Sequence, residues 1–230
     1  MSRHRVRIVD SFEQLIATPF SGDVNAICWS RRLPGDFDEV VGKLGKHAGI
    51  TSVEDDDLRA LELSQAGSVA RDVLLADQTL LRRHGLAPSL DCIVGYPRGV
   101  DDTSPIQADV YSFHVDTATC CTDTYLCTYI GPSSEGLANE LAVRRVDVAA
   151  VRARLLKEAR GPDDDAFAAW LSDRFYDLHY QPKPGAVPYL FGIGNLWRIA
   201  VDYPGCPVLP CIHRAPLSLP QGPKRLLLIS

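Results

Sequence analysis

Short apolar runs separated by glycine and proline fill the second half of the sequence, and this pattern most constrains the fold. Residues 109–116, 125–130, 189–201 and 225–229 are rich in aromatic, β-branched or leucine residues, which are types common in strands. Several short strands with this punctuation are typical of a β-sandwich or a jelly roll. We therefore predict a β-rich core over residues 109–230.

Helical patterns precede and interrupt this core. Gly85 and Gly161 each follow a segment with apolar side chains at helical spacing, in the position where helices commonly end. The predicted helices are residues 36–44, 68–84, 147–160 and 163–178, and residues 24–29 and 90–94 are predicted to be extended. We predict N-terminal helices and a helical insertion within the core.

One α+β domain accounts for this organisation. A chain of 230 residues can bury a sizeable core as a single unit. We assign residues 1–108 to a mixed helical and strand support and residues 109–230 to the core. The insertion spans about residues 147–178.

Composition limits the partners and the compartment. The net charge of -5, with both signs interspersed, provides no basic stripe for nucleic acid. Apolar runs such as residues 226–229 are far shorter than the roughly 20 residues of a membrane helix, so we predict no membrane partner. Seven cysteines cannot all pair with one another, and the N-terminus lacks the apolar stretch of a signal peptide. We predict a cytoplasmic protein.

The motif that carries the most chemistry is His114-Val115-Asp116, which His213 follows much later in the chain. Side chains at i and i+2 of a strand point to the same face, so His114 and Asp116 can hold one ion that His213 completes. Two histidines and one carboxylate on one side of a metal leave the other side open, which is the ligand set of mononuclear iron(II) oxygenases. We predict an iron centre that reacts with dioxygen and a small-molecule substrate.

A basic residue opens the last predicted strand. Arg225 precedes the apolar residues 226–229 and follows His213 in the sequence. A guanidinium that points from this strand toward the metal pocket can take a carboxylate through two parallel hydrogen bonds. We predict that Arg225 binds a carboxylate.

This pattern resembles the iron(II)/2-oxoglutarate-dependent oxygenases, whose core carries His-x-Asp, a distal histidine and a basic residue beyond it. The resemblance covers residues 109–230. It implies a double-stranded β-helix, of the jelly-roll or cupin-like kind, with iron(II) held by His114, Asp116 and His213. It also implies 2-oxoglutarate as cosubstrate, with its distal carboxylate anchored by Arg225.

Other residues near these motifs are candidates for the same cosubstrate. Lys224 and Arg214 are alternatives to Arg225 as the carboxylate anchor. Tyr129 shares a strand face with Tyr125 and Cys127. If that face is inward, Tyr129 can bind the cosubstrate or the substrate, and otherwise it packs in the scaffold.

A second resemblance extends over most of the chain. The segments VNAICWSR at 24–31, FHVD at 113–116, TYIGP at 128–132, HRAP at 213–216 and KRLLL at 224–228 are similar to the bacterial family catalogued as domain of unknown function 1826. That family implies no activity, but its His-x-Asp and His-Arg blocks contain the three predicted metal ligands. The chain departs from the family pattern at Ser133-Ser134-Glu135-Gly136, which indicates a loop specialised for another substrate.

Two other functions remain open. An iron-dependent oxidase that does not use 2-oxoglutarate would use Arg225 for its substrate or for structure alone. A metal-binding protein without turnover is the alternative outside enzymes. Cys206 and Cys211, together with His213 and His114, offer sulfur and nitrogen ligands suited to zinc.

Overall fold

The computed structural model describes residues 5–45, 48–96, 104–217 and 222–230 of the protein. The strands are β1 (Val6–Val9), β2 (Ala26–Trp29), β3 (Gly49–Ser52), β4 (Ser89–Val94), β5 (Phe113–His114), β6 (Asp123–Ile130), β7 (Glu135–Leu137), β8 (Ala142–Arg144), β9 (His179–Pro182), β10 (Tyr189–Leu190), β11 (Leu196–Ala200), β12 (Ile212–Arg214) and β13 (Arg225–Ile229). The α-helices are α1 (Phe12–Ala17), α2 (Phe37–Lys43), α3 (Asp55–Arg59), α4 (Gln65–Arg83), α5 (Ala149–Ala159) and α6 (Asp165–Asp173). Short 3-10 turns cover Asn139–Leu141, Arg145–Asp147 and Tyr176–Leu178.

These strands form two sheets. The first sheet has the order β1-β2-β11-β6-β13-β4-β3, and the second has the order β10-β7-β12-β5-β9-β8. Within the described part of the chain, β1 and β2 form the one parallel ladder between named strands, and the other ladders are antiparallel. The α+β class is therefore confirmed, whereas the double-stranded β-helix stays a prediction. No helix among the described residues combines the length and apolar character that crossing a bilayer requires.

The N-terminal helices cover one face of the first sheet. The hydroxyl of Ser64 accepts the backbone N–H of Gly67 and caps α4, and Gly85 follows the helix with φ +76°. Leu74 and Leu81 of α4 are fully buried in the same cluster as Leu228 of β13. The predicted helix at residues 68–84 is confirmed as part of α4.

The opposite face of the first sheet packs toward the second sheet. Leu126 of β6 and Trp197 of β11 lie directly opposite each other in the sheet. Both belong to a buried cluster that includes Phe191, whose ring centroid lies 4.3 Å from that of Trp197. Alternate residues of β6 and β13 on this face therefore point into the space between the sheets.

One predicted strand, residues 189–201, is wrong as a single element. It comprises β10 in the second sheet and β11 in the first. The break falls at Gly192 and Gly194, which have φ values of +75° and +78°. Backbone of that conformation favours glycine and cannot continue a strand, so the chain turns from one sheet into the other.

The strand predicted over residues 109–116 is shorter than expected. The Asp109 carboxylate accepts the backbone N–H groups of Tyr111 and Ser112 and closes a turn. Regular strand therefore covers only Phe113–His114. Asp116 lies just beyond β5, where its carbonyl accepts the backbone N–H of Asp202.

The helices predicted over residues 147–160 and 163–178 are confirmed as α5 and α6, but α6 already ends at Asp173. Leu155 of α5 and two residues of α6, Phe167 and Leu171, are buried together with Val146 and Ile106. A side-chain oxygen of Asp164 accepts two backbone N–H groups at the start of α6. The 3-10 turn after α6 leads directly into β9 of the second sheet.

A buried ion pair joins α4 to the helix-covered face of the first sheet. Both Nη atoms of Arg31 donate to Asp77 at 2.7 Å, and the hydroxyl of Tyr129 donates to the same carboxylate at 2.7 Å. The two charged side chains are 9% and 7% exposed. Removing one partner from such a pair leaves an uncompensated buried charge.

We predict that Asp77→Ala lowers the free energy of unfolding by about 3–5 kcal/mol, because Arg31 loses its buried counter-charge. Urea unfolding followed by circular dichroism measures this change. Asp72→Ala on the same helix is the control: that carboxylate is 68% exposed, and its removal should change the stability by no more than about 0.5 kcal/mol. Equal effects of the two substitutions would contradict this role of Asp77.

Candidate metal centre

Three potential metal ligands converge between the two sheets. His114 of β5 and His213 of β12 are direct partners in the antiparallel ladder, and Asp116 follows two residues after His114. The Nε2 atoms of both histidines lie 3.8 Å from Oδ1 of Asp116. One ligand atom from each residue falls within 4.8 Å of the other two.

The backbone sets the orientation of both imidazoles. Nδ1 of His114 lies 2.8 Å from the carbonyl oxygen of Ser112, and Nδ1 of His213 lies 3.3 Å from that of Cys211. Because a carbonyl only accepts, each Nδ1 carries the proton and donates it. Each Nε2, which lies 3.8 Å from Oδ1 of Asp116, is then left with the free lone pair through which histidine binds a metal.

A threonine from the other sheet orients the carboxylate. Thr124 of β6 donates its hydroxyl hydrogen to Oδ2 of Asp116 at 2.6 Å. This bond occupies one carboxylate oxygen and leaves Oδ1 facing both imidazoles. The metal centre therefore draws its ligands from the second sheet and its outer support from the first.

The electrostatics favour the protonation states that metal binding requires. Burial lowers the pKa of His114 to about 4, and nearby His213 adds to the lowering. Burial raises the pKa of Asp116, but His213 and the Thr124 hydrogen bond outweigh it, and the net pKa is lowered. At neutral pH a neutral His114 thus faces an ionised Asp116, as metal ligation demands.

The spacing of the ligand atoms also suits one ion. First-row metals bind histidine nitrogen and carboxylate oxygen at about 2.1 Å, so one ion can bridge atoms up to about 4.2 Å apart. Both 3.8 Å separations between a histidine and Asp116 meet this limit. The three residues could therefore hold a metal ion.

A third histidine extends the row across the sheet. His179 of β9 pairs with His114 on the side away from His213, and its ring centroid lies 5.8 Å from that of His114. Its side chain is buried, and its Nδ1 has no hydrogen-bond partner among the described residues. His179 is outside the ligand cluster. Sequence reasoning missed it because only the β5–β9 pairing brings it to the site.

A cavity of about 520 Å³ opens beside the ligands, within the size range of small-molecule sites. His114, Asp116 and His179 line it together with Tyr96. Much of the remaining wall is apolar and includes three partly exposed side chains: Ile50, Val110 and Phe175. The open side of the metal centre therefore faces a largely apolar space.

Arg225 is buried on the same side of the first sheet as Thr124. Its Nη atoms donate to the hydroxyls of Tyr96, Thr128 and Ser134 at 2.7, 3.1 and 2.7 Å. Its Nε has no acceptor, and it forms no ion pair with a described carboxylate. Burial lowers its pKa. Among the described residues the buried guanidinium thus has hydroxyl partners but no counter-charge, an arrangement that carries a desolvation cost.

The other two predicted carboxylate anchors point elsewhere. Lys224 donates to the backbone carbonyl of Val41 at 2.9 Å. Arg214 pairs with Glu135 at 2.6 Å, and its guanidinium carbon lies 4.3 Å from the ring centroid of Phe113. Of the three basic residues, Arg225 alone bonds to a residue that lines the metal cavity, Tyr96.

Tyr129 lies on the wrong face for a cosubstrate contact. Strand alternation directs Thr124 and Thr128 toward the second sheet and Tyr129 toward the helices. There its hydroxyl donates to Asp77, and its ring stacks on Phe37 with centroids 5.6 Å apart. The predicted contact does not fit this placement, and Tyr96 is the tyrosine that contacts Arg225 and lines the cavity.

The cysteines of the predicted zinc alternative do not join the ligand cluster. Cys211 is buried with its Sγ 3.7 Å from the hydroxyl of Tyr189. The metal-capable cluster found among the described residues contains only His114, Asp116 and His213. The two cysteines therefore do not form a zinc-ligand cluster with His114 and His213.

No protein-family model and no curated protein matches this chain. The resemblances to the oxygenases and to domain of unknown function 1826 accordingly stay predictions.

We predict that His114→Ala abolishes binding of iron(II), because two ligands do not hold the ion as three do. Anaerobic calorimetric titration measures the affinity, and the unfolding midpoint checks that the fold is kept. His84→Ala, which removes a histidine far from this cluster at the end of α4, should bind iron(II) like the wild type. Wild-type affinity in His114→Ala would refute the ligand assignment.

We also predict that Thr124→Val weakens iron(II) binding by about 10- to 100-fold, because Asp116 loses the hydrogen bond that orients it. The same titration measures this loss. Thr117→Val is the matched control, since the Thr117 hydroxyl donates to the carbonyl of Asp202 rather than to a ligand. An equal loss of iron(II) affinity in both variants would instead indicate that the substitutions destabilise this segment in general.

Proposed function

We propose that this protein is a mononuclear non-haem iron(II) oxygenase that uses 2-oxoglutarate to oxidise a small molecule. The two facing sheets would form its double-stranded β-helix core. The observation that carries the proposal is the buried Arg225, which has no carboxylate partner among the described residues and contacts a wall of the metal cavity through Tyr96.

Each residue has a defined part in this proposal. His114, Asp116 and His213 would hold the ion from one side, and Thr124 keeps Oδ1 of Asp116 directed at it. Iron bound there would supply dioxygen activation, in which one oxygen atom enters the substrate and the other enters succinate as 2-oxoglutarate loses carbon dioxide. Asp116 keeps the full carboxylate ligand, which argues against a halogenase.

The cosubstrate would lie along β6. Thr124 contacts Asp116, and Thr128 contacts Arg225, so both contacts lie on one face of the same strand. A diacid lying along that face would place one end on the metal and direct the distal carboxylate to the guanidinium. Tyr96 and Ser134 hold the guanidinium in place, and its burial excludes water and strengthens the ion pair.

Stepwise loading separates the three candidate functions. Iron(II) is titrated anaerobically, 2-oxoglutarate is added, and succinate release is measured after oxygen is admitted. Succinate release that requires iron supports the proposal. Iron binding with oxygen consumption but no use of 2-oxoglutarate would favour the oxidase, and retention of zinc without iron binding would favour the non-catalytic protein.

We predict that Arg225→Gln raises the dissociation constant of 2-oxoglutarate by at least about tenfold, because a charged hydrogen bond contributes roughly 1.5–3 kcal/mol. Iron(II) affinity should stay within about twofold, since Arg225 contacts no metal ligand. Calorimetry on the iron-loaded protein measures both. Arg214→Gln is the control, because Arg214 pairs with Glu135. Unchanged 2-oxoglutarate affinity in Arg225→Gln would remove the main support for this cosubstrate.

A further inference from the structure

A second cavity lies on the other face of the histidine-bearing strands. Phe113 and Tyr180 alternate with His114 and His179 along β5 and β9, so they point away from the metal centre. Both line a cavity of about 690 Å³ together with Tyr176. This volume falls within the range of small-molecule sites, and aromatic side chains form much of its wall.

The cavity carries an excess of positive charge. Arg145, Arg174 and Arg214 line it. Arg214 is neutralised by Glu135 at 2.6 Å. Arg174 lies over the ring of Trp170 and donates to its backbone carbonyl, and its ion pair is a 3.4 Å contact to Asp173, a carboxylate that is 81% exposed. Arg145 makes no side-chain hydrogen bond or ion pair with any described residue.

Arg145 is not simply a solvated surface residue. Its Nε is buried and has no acceptor among the described residues, and leaving a buried donor without an acceptor is energetically costly. The adjacent 3-10 turn carries Asp177, but this carboxylate forms no ion pair with Arg145 within the described part of the chain. A ligand that brings an acceptor into the cavity would remove that cost.

The lining holds fewer carboxylates than guanidinium groups. Asp109 is the acidic residue among the described residues of the wall. Its Oδ1 already accepts the backbone N–H groups of Tyr111 and Ser112 at 3.1 and 3.0 Å. Because Arg145 forms no ion pair with this carboxylate, its charge favours an incoming anion over a cation.

We propose that this cavity binds a small organic anion, with its carboxylate or phosphate group on Arg145 and a flat apolar body against Tyr176 and Tyr180. A guanidinium matches both oxyanions through parallel hydrogen bonds. The two tyrosine rings provide the apolar surface beside it. This site needs neither the metal nor the activity proposed above, because it occupies the opposite face of the strands.

Binding of benzoate to the metal-free full-length protein tests this site by calorimetry, with benzamide as the neutral isostere. We expect benzoate to bind and benzamide to bind at least about tenfold more weakly, equivalent to ~1.4 kcal/mol. Arg145→Gln should lower the affinity for benzoate by at least the same factor. Arg145→Lys should bind benzoate more tightly than Arg145→Gln, because it keeps the positive charge. Arg154→Gln, which removes an exposed charge from α5, should bind benzoate like the wild type.

Three outcomes would overturn the site: no benzoate binding, equal binding of benzamide, or equal affinity in Arg145→Gln and the wild type. Inorganic phosphate is then added as competitor. Displacement of benzoate shows that the oxyanion is the recognised group, and no displacement assigns the site to carboxylates. His114→Ala should bind benzoate normally, so failure at the metal centre and failure at this cavity are distinguishable.

Discussion

The pairing of β5 with β12 on one side and with β9 on the other is the constraint on which the candidate centre depends. The register places His213, His114 and His179 in one row across three strands. A slip of one residue in either strand would turn its histidine to the opposite face, because side chains alternate along a strand. That face carries a buried apolar cluster with Phe113, Val115, Leu137 and Ile212, so the same packing that stabilises the sheet also fixes the histidines.

The centre is also where the two sheets are joined by polar contacts. Asp116 follows a strand of the second sheet and accepts a hydrogen bond from Thr124 of the first. Arg225 of the first sheet donates to Ser134, which precedes a strand of the second. These contacts lie beside an apolar interface centred on Leu126 and Trp197. The low dielectric of such surroundings strengthens paired charges and penalises charges that have no counter-charge, and Arg225 belongs to the second kind among the described residues.

Two buried arginines of this chain differ in whether the fold supplies a counter-charge for the guanidinium. Arg31 and Arg225 are both buried in β-sheet surroundings, but Arg31 has a full carboxylate partner in Asp77 and Arg225 has only hydroxyl partners. The first satisfies its charge within the fold. The second has no counter-charge among the described residues, so its burial carries a desolvation cost that an anion would offset under the proposed function.

Local pattern was enough to determine several elements of this protein. The helix at residues 68–84, the insertion helices and the last strand follow from apolar periodicity and from glycine at helix ends, both of which act over a few residues. The motif His114-Val115-Asp116 and the distant His213 likewise followed from the chemistry of the residue types. In contrast, the division of residues 189–201 between two sheets depended on the positive φ angles of two glycines, which a strand pattern does not reveal.

Only the tertiary structure decided which side chains share the centre. The outward face of Tyr129, the contact between Tyr96 and Arg225, the support from Thr124 and the position of His179 all depend on strand pairing between residues far apart in the chain. Sequence periodicity shows which residues share a face of one strand, but it does not show which face another strand or sheet will cover. The sequence by itself thus determined the candidate metal ligands, and long-range packing determined their neighbours.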